Sequence, residues 1–224
     1  MAGSTTNDST MVSLGKFRVG GYAYWAPFGT ALPTDSSTPL AAAFKLLGYL
    51  SEDGLTNTTD TDTTEIKDAN GTTVMKVITS YAESYQFALL EVLRVEAAKM
   101  RYNSDAVTGT DKSMTIKHQM PSDEDFVLVF EIAMTGDVKD RLVIGNATRA
   151  EFGDRQVHAG DAQVYDVTVS ANDMGNGVTA IEYIGVAASA SESSVNAEAL
   201  TGKVVAPVNA EETAEPAEET PAAE

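Results

Sequence analysis

Cysteine is absent from the 224-residue chain, which excludes disulfides, a thiol nucleophile and cysteine-ligated zinc. Histidine is nearly absent: only His118 and His158 occur, in no H-E-x-x-H pattern and beside no nucleophile, so both read as surface side chains. Basic residues are scarce. Lys and Arg number 15 against 33 Asp and Glu, a formal charge of −18 and a pI near 4.3, and no basic run exists to displace counterions from phosphates. Nucleic acid is repelled rather than gripped. No apolar run approaches a membrane span, and the polar opening MAGSTTNDSTMVSLGK lacks the pattern of a signal peptide. The expectation is a soluble protein made in the cytoplasm, with no membrane partner.

Motifs of catalysis are missing too: there is no G-x-S-x-G, no P-loop and no G-x-G-x-x-G between a strand and a helix. The run Asp60-Thr61-Asp62-Thr63-Thr64-Glu65 starts like a calcium loop, but Glu65 stands where the loop needs glycine and Gly71 where it needs a bidentate carboxylate. Carboxylates are too abundant for a glycosidase-type pair to be picked out, and Asp123-Glu124-Asp125 reads as a charged loop keeping a strand end soluble. No catalytic residue, cofactor or metal ligand is assigned, and the chain is read as a non-enzyme.

What is present is enough apolar sequence, 43% of the chain, for one well-buried domain. Residues 1–11 are small and polar and read as an arm disordered until docked. The next twenty residues interleave Phe17, Tyr22, Tyr24, Trp25 and Phe28 with glycines, as in short extended pieces broken by turns. This aromatic patch suits a core corner, an assembly contact or a ligand platform. Residues 41–50 form an apolar patch, and 51–69 a polar stretch read as a long exposed loop. Asn70-Gly71 offers two positive φ angles for a hairpin turn into the strand-like TTVMKVITSY. Alternation predicts a strand at 83–91. Leu93, Ala97 and Met100, spaced i, i+4, i+7, predict a helix over about 92–102.

Strand patterns then recur at 126–134, 138–146, 148–157, 163–171 and 178–185, separated by turn residues at 135–137, Gly145-Asn146, Gly160-Asp161 and 173–177. Five strands and one helix predict a mainly β, antiparallel sandwich or barrel with a flanking α-helix. Beyond residue 185 aromatics cease. Eight Glu face the single Lys203, so 186–224 carries −7 of the −18 and reads as a flexible acidic tail. The organisation expected is an arm (1–18), a β domain (19–185) and the acidic segment (186–224).

The run VGGYAYWAPFGTALPTDSSTPLAAAFKLLGYLSEDGLT at 19–56 resembles the N-terminal part of the major tail proteins of long-tailed, non-contractile bacteriophages. The resemblance rests on A-P-x-G-T-x-L-P-T-D at 26–35, the apolar patch, and L-G-Y-x-S-E-D-G at 47–54. It continues through EIKDANGTTVMKVITS and YQFALLEVLRVEAAKMRY into the β meander, about three-quarters of the chain. It implies a tail-tube-like fold, similar to the tubes of type VI secretion systems. It also implies a structural subunit of the virion tail, forming hexameric rings that stack into the conduit for DNA delivery, with assembly in the host cytoplasm. Tape-measure, tail terminator and tail-tip proteins are the implied partners, and genomic DNA passes through the lumen without specific binding. In such proteins an arm, a long first-half loop and the C-terminal segment order against neighbouring rings; here these match 1–18, about 55–68 and part of 186–205. The expected assembly contacts are Phe17, Tyr22, Tyr24, Trp25, Phe28, Leu55, Asn57, Thr58, Asp60 and Asp62.

Elementary physics agrees: a head-to-tail interface closes into a ring or propagates as a filament, and a neighbour can pair the exposed sheet edges of a monomer. An acidic lumen would repel the DNA backbone. The alternative is a β-sandwich binding module that uses Tyr22, Trp25 and Phe28 for a carbohydrate or protein.

Overall fold

A computed structural model describes residues 6–18 and 20–186. A 3-10 turn at Ser9–Met11, capped by the Asp8 carboxylate, leads into β1 (Lys16–Phe17) and β2 (Ala23–Pro27). Next come β3 (Lys45–Leu46), β4 (Leu50–Lys67), β5 (Thr73–Leu89) and the helix α1 (Val95–Tyr102). A small hairpin of β6 (Val107–Thr110) and β7 (Ser113–Ile116) precedes β8 (Phe126–Ala133), β9 (Val138–Phe152), β10 (Tyr165–Ala171) and β11 (Ile181–Val186). All pairings are antiparallel, in the order β3-β2-β8-β9-β10-β5-β4, with β1 beside β8 and β11 beside β9. The mainly β, one-helix architecture expected from the strand-and-turn spacing is what forms.

The sheet curls back on itself. β8 and β5 stand three steps apart in the order, roughly 14 Å in a flat sheet, yet the Phe130 and Phe87 rings meet edge-on at 5.4 Å. Only Leu47, Gly48 and Tyr49 separate β3 from β4, the two ends of the order, so the ends must approach each other. Tyr22 fastens that closure, its hydroxyl accepting from the Leu50 amide at 2.7 Å. Inside lie Trp25, Phe126, Leu128, Phe130, Ile144, Phe87, Leu89 and Val167, all buried. The opposite face of β8 and β9 buries Val127, Val129 and Val143 against Ala26 and Phe44, which is why FVLVF reads apolar without alternation.

α1 closes one side of the main core with Ala97, Ala98 and Met100. Two arginines clamp it. Arg149 of β9 donates to the Met100 and Lys99 carbonyls at 2.6 and 3.0 Å and to Glu124 at 3.2 Å, its guanidinium 4.8 Å from the Phe126 ring centre. Arg101 donates from the helix to the Asp166 and Gly153 carbonyls. The last carbonyls of α1 are thus satisfied by a cation at the favourable end of the helix dipole.

Four details depart from the sequence reading. The 51–69 stretch is strand, not loop: it runs through β4, where Thr at 56, 58, 59, 61, 63 and 64 supplies β-branched side chains without an apolar face. Gly145-Asn146 is not a turn but a bulge inside β9, where the register against β8 shifts. Gly145 is needed there for close approach, its amide meeting the Met174 sulfur and a Cβ colliding with that sulfur. α1 starts three residues late, leaving Leu93 exposed, because the Val95 amide is capped by Asp111 from the β6–β7 turn. At the tip of the β4–β5 hairpin only Gly71 has positive φ (83°); Asp68 accepts from the Asn70 and Thr72 amides, and the Gly71 amide donates to the Asp68 carbonyl. This is a type I turn followed by a left-handed glycine.

The arm read at 1–11 lies outside the described residues up to residue 5. From Ser13 onward it docks on β8, with the Leu14 and Thr135 amides donating to the Thr135 and Ser13 hydroxyls. The acidic tail lies outside the described residues from 187 onward.

Candidate assembly surface

β5 pairs with β10 only as far as Glu83 and Ala171; from there to the tip its partner is β4. At ~3.3 Å per residue, Thr59–Lys67 carries this ribbon about 30 Å beyond the body. A two-stranded ribbon in water is marginal on its own, and every residue from 56 to 82 is exposed.

Register assigns its two faces. Tyr85–Asn57, Glu83–Thr59 and Tyr81–Thr61 lie on the face continuous with the core, and Ser84–Thr58, Ala82–Asp60 and Ser80–Asp62 on the other. The bulge at Thr79 shifts the alternation of β5, so Ile78 and Lys76 join the first face while Val77 and Met75 join Ile66 on the second. The Lys76–Glu65 ion pair and the Ser80 hydroxyl donating to Asp62 at 2.9 Å confirm the assignment. Apolar side chains therefore stand bare on both faces: Ile78 is 65% exposed, Val77 44% and Met75 54%. Scattered apolar residues are ordinary, whereas a row of them on a projecting ribbon makes it the candidate contact surface.

Glu83 secures the ribbon's base. Its carboxylate accepts from Asn57 and Tyr85 at 2.6 Å each, from Thr179 at 2.5 Å and from Tyr81 at 3.4 Å. Burial pushes its pKa up, but the Thr179 and Tyr85 hydroxyls and the Asn57 amide outweigh burial and hold it below the usual carboxylate range. Burial, then Glu83, pushes the Tyr85 phenol the other way. Beside this base opens a cleft of about 670 Å³, lined among others by Leu55, Ile132, Leu142, Ala180 and Glu182.

Of the ten contacts expected from sequence, Leu55, Asn57, Thr58, Asp60 and Asp62 come together on the ribbon and its base. The aromatics divide. Trp25, 6% exposed, is a core residue whose indole donates to Glu96 at 2.9 Å, and Tyr22 is buried with Phe17 against it at 4.8 Å. Tyr24 is half-buried, and Phe28 is exposed. Sequence reasoning missed Ile66, Met75, Val77, Ile78 and Tyr81. Their signal was a β-branched run reading as a strand, but nothing local shows that no sheet covers it. Asp60 and Asp62 sit two apart on one strand face, and among the described residues no group of three or more acidic or histidine side chains is arranged to hold a metal ion.

The chain was compared with known proteins. A family model described as phage tail tube protein matches residues 5–195. No curated protein matches. Among solved structures, a chain of the PVC extracellular contractile injection system, from its sheath–tube complex in the extended state, is similar at 12% identity and a TM-score of 0.38, over 76% of this chain and 93% of that one. The tube-terminating cap of the anti-feeding prophage is similar at 11% identity and 0.40, over 83% and 100%. A chain from the tail of an empty GTA particle, computed with C6 symmetry, is similar at 8% and 0.36, over 59% and 84%. The family match runs through the curled sheet, the projecting ribbon and the helix alike, and the chain belongs to the phage tail tube protein family, as a structural subunit of the tail tube.

Proposed function

We propose that the subunit closes with five copies of itself into a hexameric ring, and that the rings stack into the conduit through which DNA leaves the virion. The observation that carries this reading is the β4–β5 ribbon, some 30 Å long, with exposed apolar side chains on both faces that no other strand or helix of the described residues covers. A neighbour that covers it removes bare apolar surface and shields the outer edge of β4 from unwanted pairing. Such a contact is heterologous, joining different patches on the two copies, and therefore builds rings and filaments rather than closed dimers.

The role is structural, without catalysis. With a charge of −18, the subunit repels a DNA backbone carrying one charge per ~1.7 Å of duplex, which favours passage without sticking. Tape-measure, terminator and tail-tip proteins would meet the same stacking surfaces at the ends and inside the tube, with assembly taking place in the host cytoplasm. The arm at 1–18, whose residues from 13 to Phe17 dock on β8, and part of 186–205 are the further elements we assign to contacts between rings. Negative-stain electron microscopy of the purified chain over a concentration series tests the reading. Hollow particles of uniform width with six-fold end views are expected; a solitary monomer at every concentration, even when seeded with preformed tail tips, overturns it.

A further inference from the structure

β11 is attached to the fold along one edge. None of its six residues is buried, and β9 is its partner strand. Beneath it lies an unusual neighbour. Asp140 of β9 is only 7% exposed and sits on the core face, in register with Ile132 of β8 and Ile184 of β11. Its Oδ1 has no hydrogen-bond partner. Glu182 of β11, in register with Leu142, lies diagonally from Asp140 on the same face and within hydrogen-bonding reach of its carboxyl.

Among the described residues, the charges around the pair offer it no cation. From β8 and β1 the facing residues are Ile132 and Phe17, in register with each other. From β5 and β11 they are Tyr81, Glu83, Tyr85 and Glu182, which line one cleft with Leu142. Lys139 and Arg141 alternate to the opposite face of β9, where Arg141 donates to Glu131 at 2.6 Å and to the Asp35 and Thr38 carbonyls. Arg18 also bonds to Glu131 there. Two ionised carboxylates here would face each other with acceptors only, one of them buried. A proton on Asp140, donated to Glu182, leaves no charge on the buried carboxyl and removes the repulsion.

We propose that Asp140 and Glu182 hold a single proton between them and that this proton latches β11 onto β9, so that the docking of the last strand depends on acidity. Burial first, then the charge and hydrogen bond of Glu182, push the Asp140 carboxyl up to about 6 from its ordinary 3.8. The sign follows from linkage: the latched state binds the proton more tightly than the open state, so latching is strongest in acid and weakens as pH rises through about 6. Opening bares the edge of β9 at 138–143, a row of unpaired backbone groups that a strand of another copy can take up.

The test is backbone amide hydrogen exchange on the full chain kept below its assembly concentration, with rates corrected for the intrinsic effect of pH. From about pH 5 to about pH 7.5 the amides of 181–186 should open about tenfold more readily, while those of β8 and the centre of β9 stay unchanged. In Asp140→Asn the amide donates to Glu182 without a titrating proton, so protection should persist and its pH dependence vanish. Glu182→Gln, at an exposed position that leaves folding untouched, should do the same from the other side. A wild-type response within twofold overturns the proposal, as does a tenfold response surviving in either variant.

Discussion

Replacing Met75, Val77 and Ile78 together by Thr separates folding from assembly. All three lie on the projecting ribbon, 54%, 44% and 65% exposed, so the isolated subunit loses little when they change. Thr is β-branched and suits a strand at all three positions. Full burial of such a side chain stabilises by about 1.5–3 kcal/mol, and the exposed shares above leave about half of that to be gained on docking. The three together contribute about 3–4 kcal/mol per contact, which raises the concentration needed for assembly about 10²- to 10³-fold. Sedimentation velocity over a dilution series reads that shift. Thermal unfolding of the unassembled subunit is the control, with Tm expected to move by no more than about 2 °C. Assembly at the wild-type concentration would refute the reasoning; so would a large fall in Tm, because the ribbon would then be part of the subunit's own core.

Three more outcomes are expected. Phe130→Ala should destabilise by about 3–5 kcal/mol in urea unfolding, since the ring is fully buried and meets Phe87 where the sheet folds over. Arg149→Met should cost about 2–4 kcal/mol, leaving the Lys99 and Met100 carbonyls without this donor and Glu124 with only Ser104, and α1 should lose exchange protection before the sheet does. Glu83 has a lowered pKa, so its stabilisation is present above the ordinary carboxylate range and lost as pH falls through its folded value. The urea midpoint of Glu83→Gln should therefore decline less steeply than wild type between about pH 6 and about pH 3.

Legibility in the sequence followed the range of the interaction involved. Period and turn chemistry are local, so the meander, the Asn70-Gly71 hairpin and the turns at 135–137 and 173–177 could be read directly. The threonine-rich strand β4 could not, because a ribbon bare on both faces has no apolar alternation to announce it. Gly145 looked like a turn residue for an equally physical reason: glycine serves positive φ and close approach alike, and only the Met174 sulfur against its amide tells which. Clamps such as Arg149 on α1, and the meeting of Asp140 with Glu182, join residues about 50 and 42 apart, and no local pattern carries them. The ten expected contacts divided between the ribbon and the core. Leu55 to Asp62 came from the family resemblance, while Trp25 and Tyr22, aromatics suited to core and interface alike, went to the core.

The most direct measurement is a cryo-electron microscopy map of the assembled protein. Six-fold rings are expected in which the β4–β5 ribbon lies against an adjacent copy, with Met75, Val77 and Ile78 buried there. Rings whose ribbons project free into solvent, or particles built on another surface altogether, would contradict it.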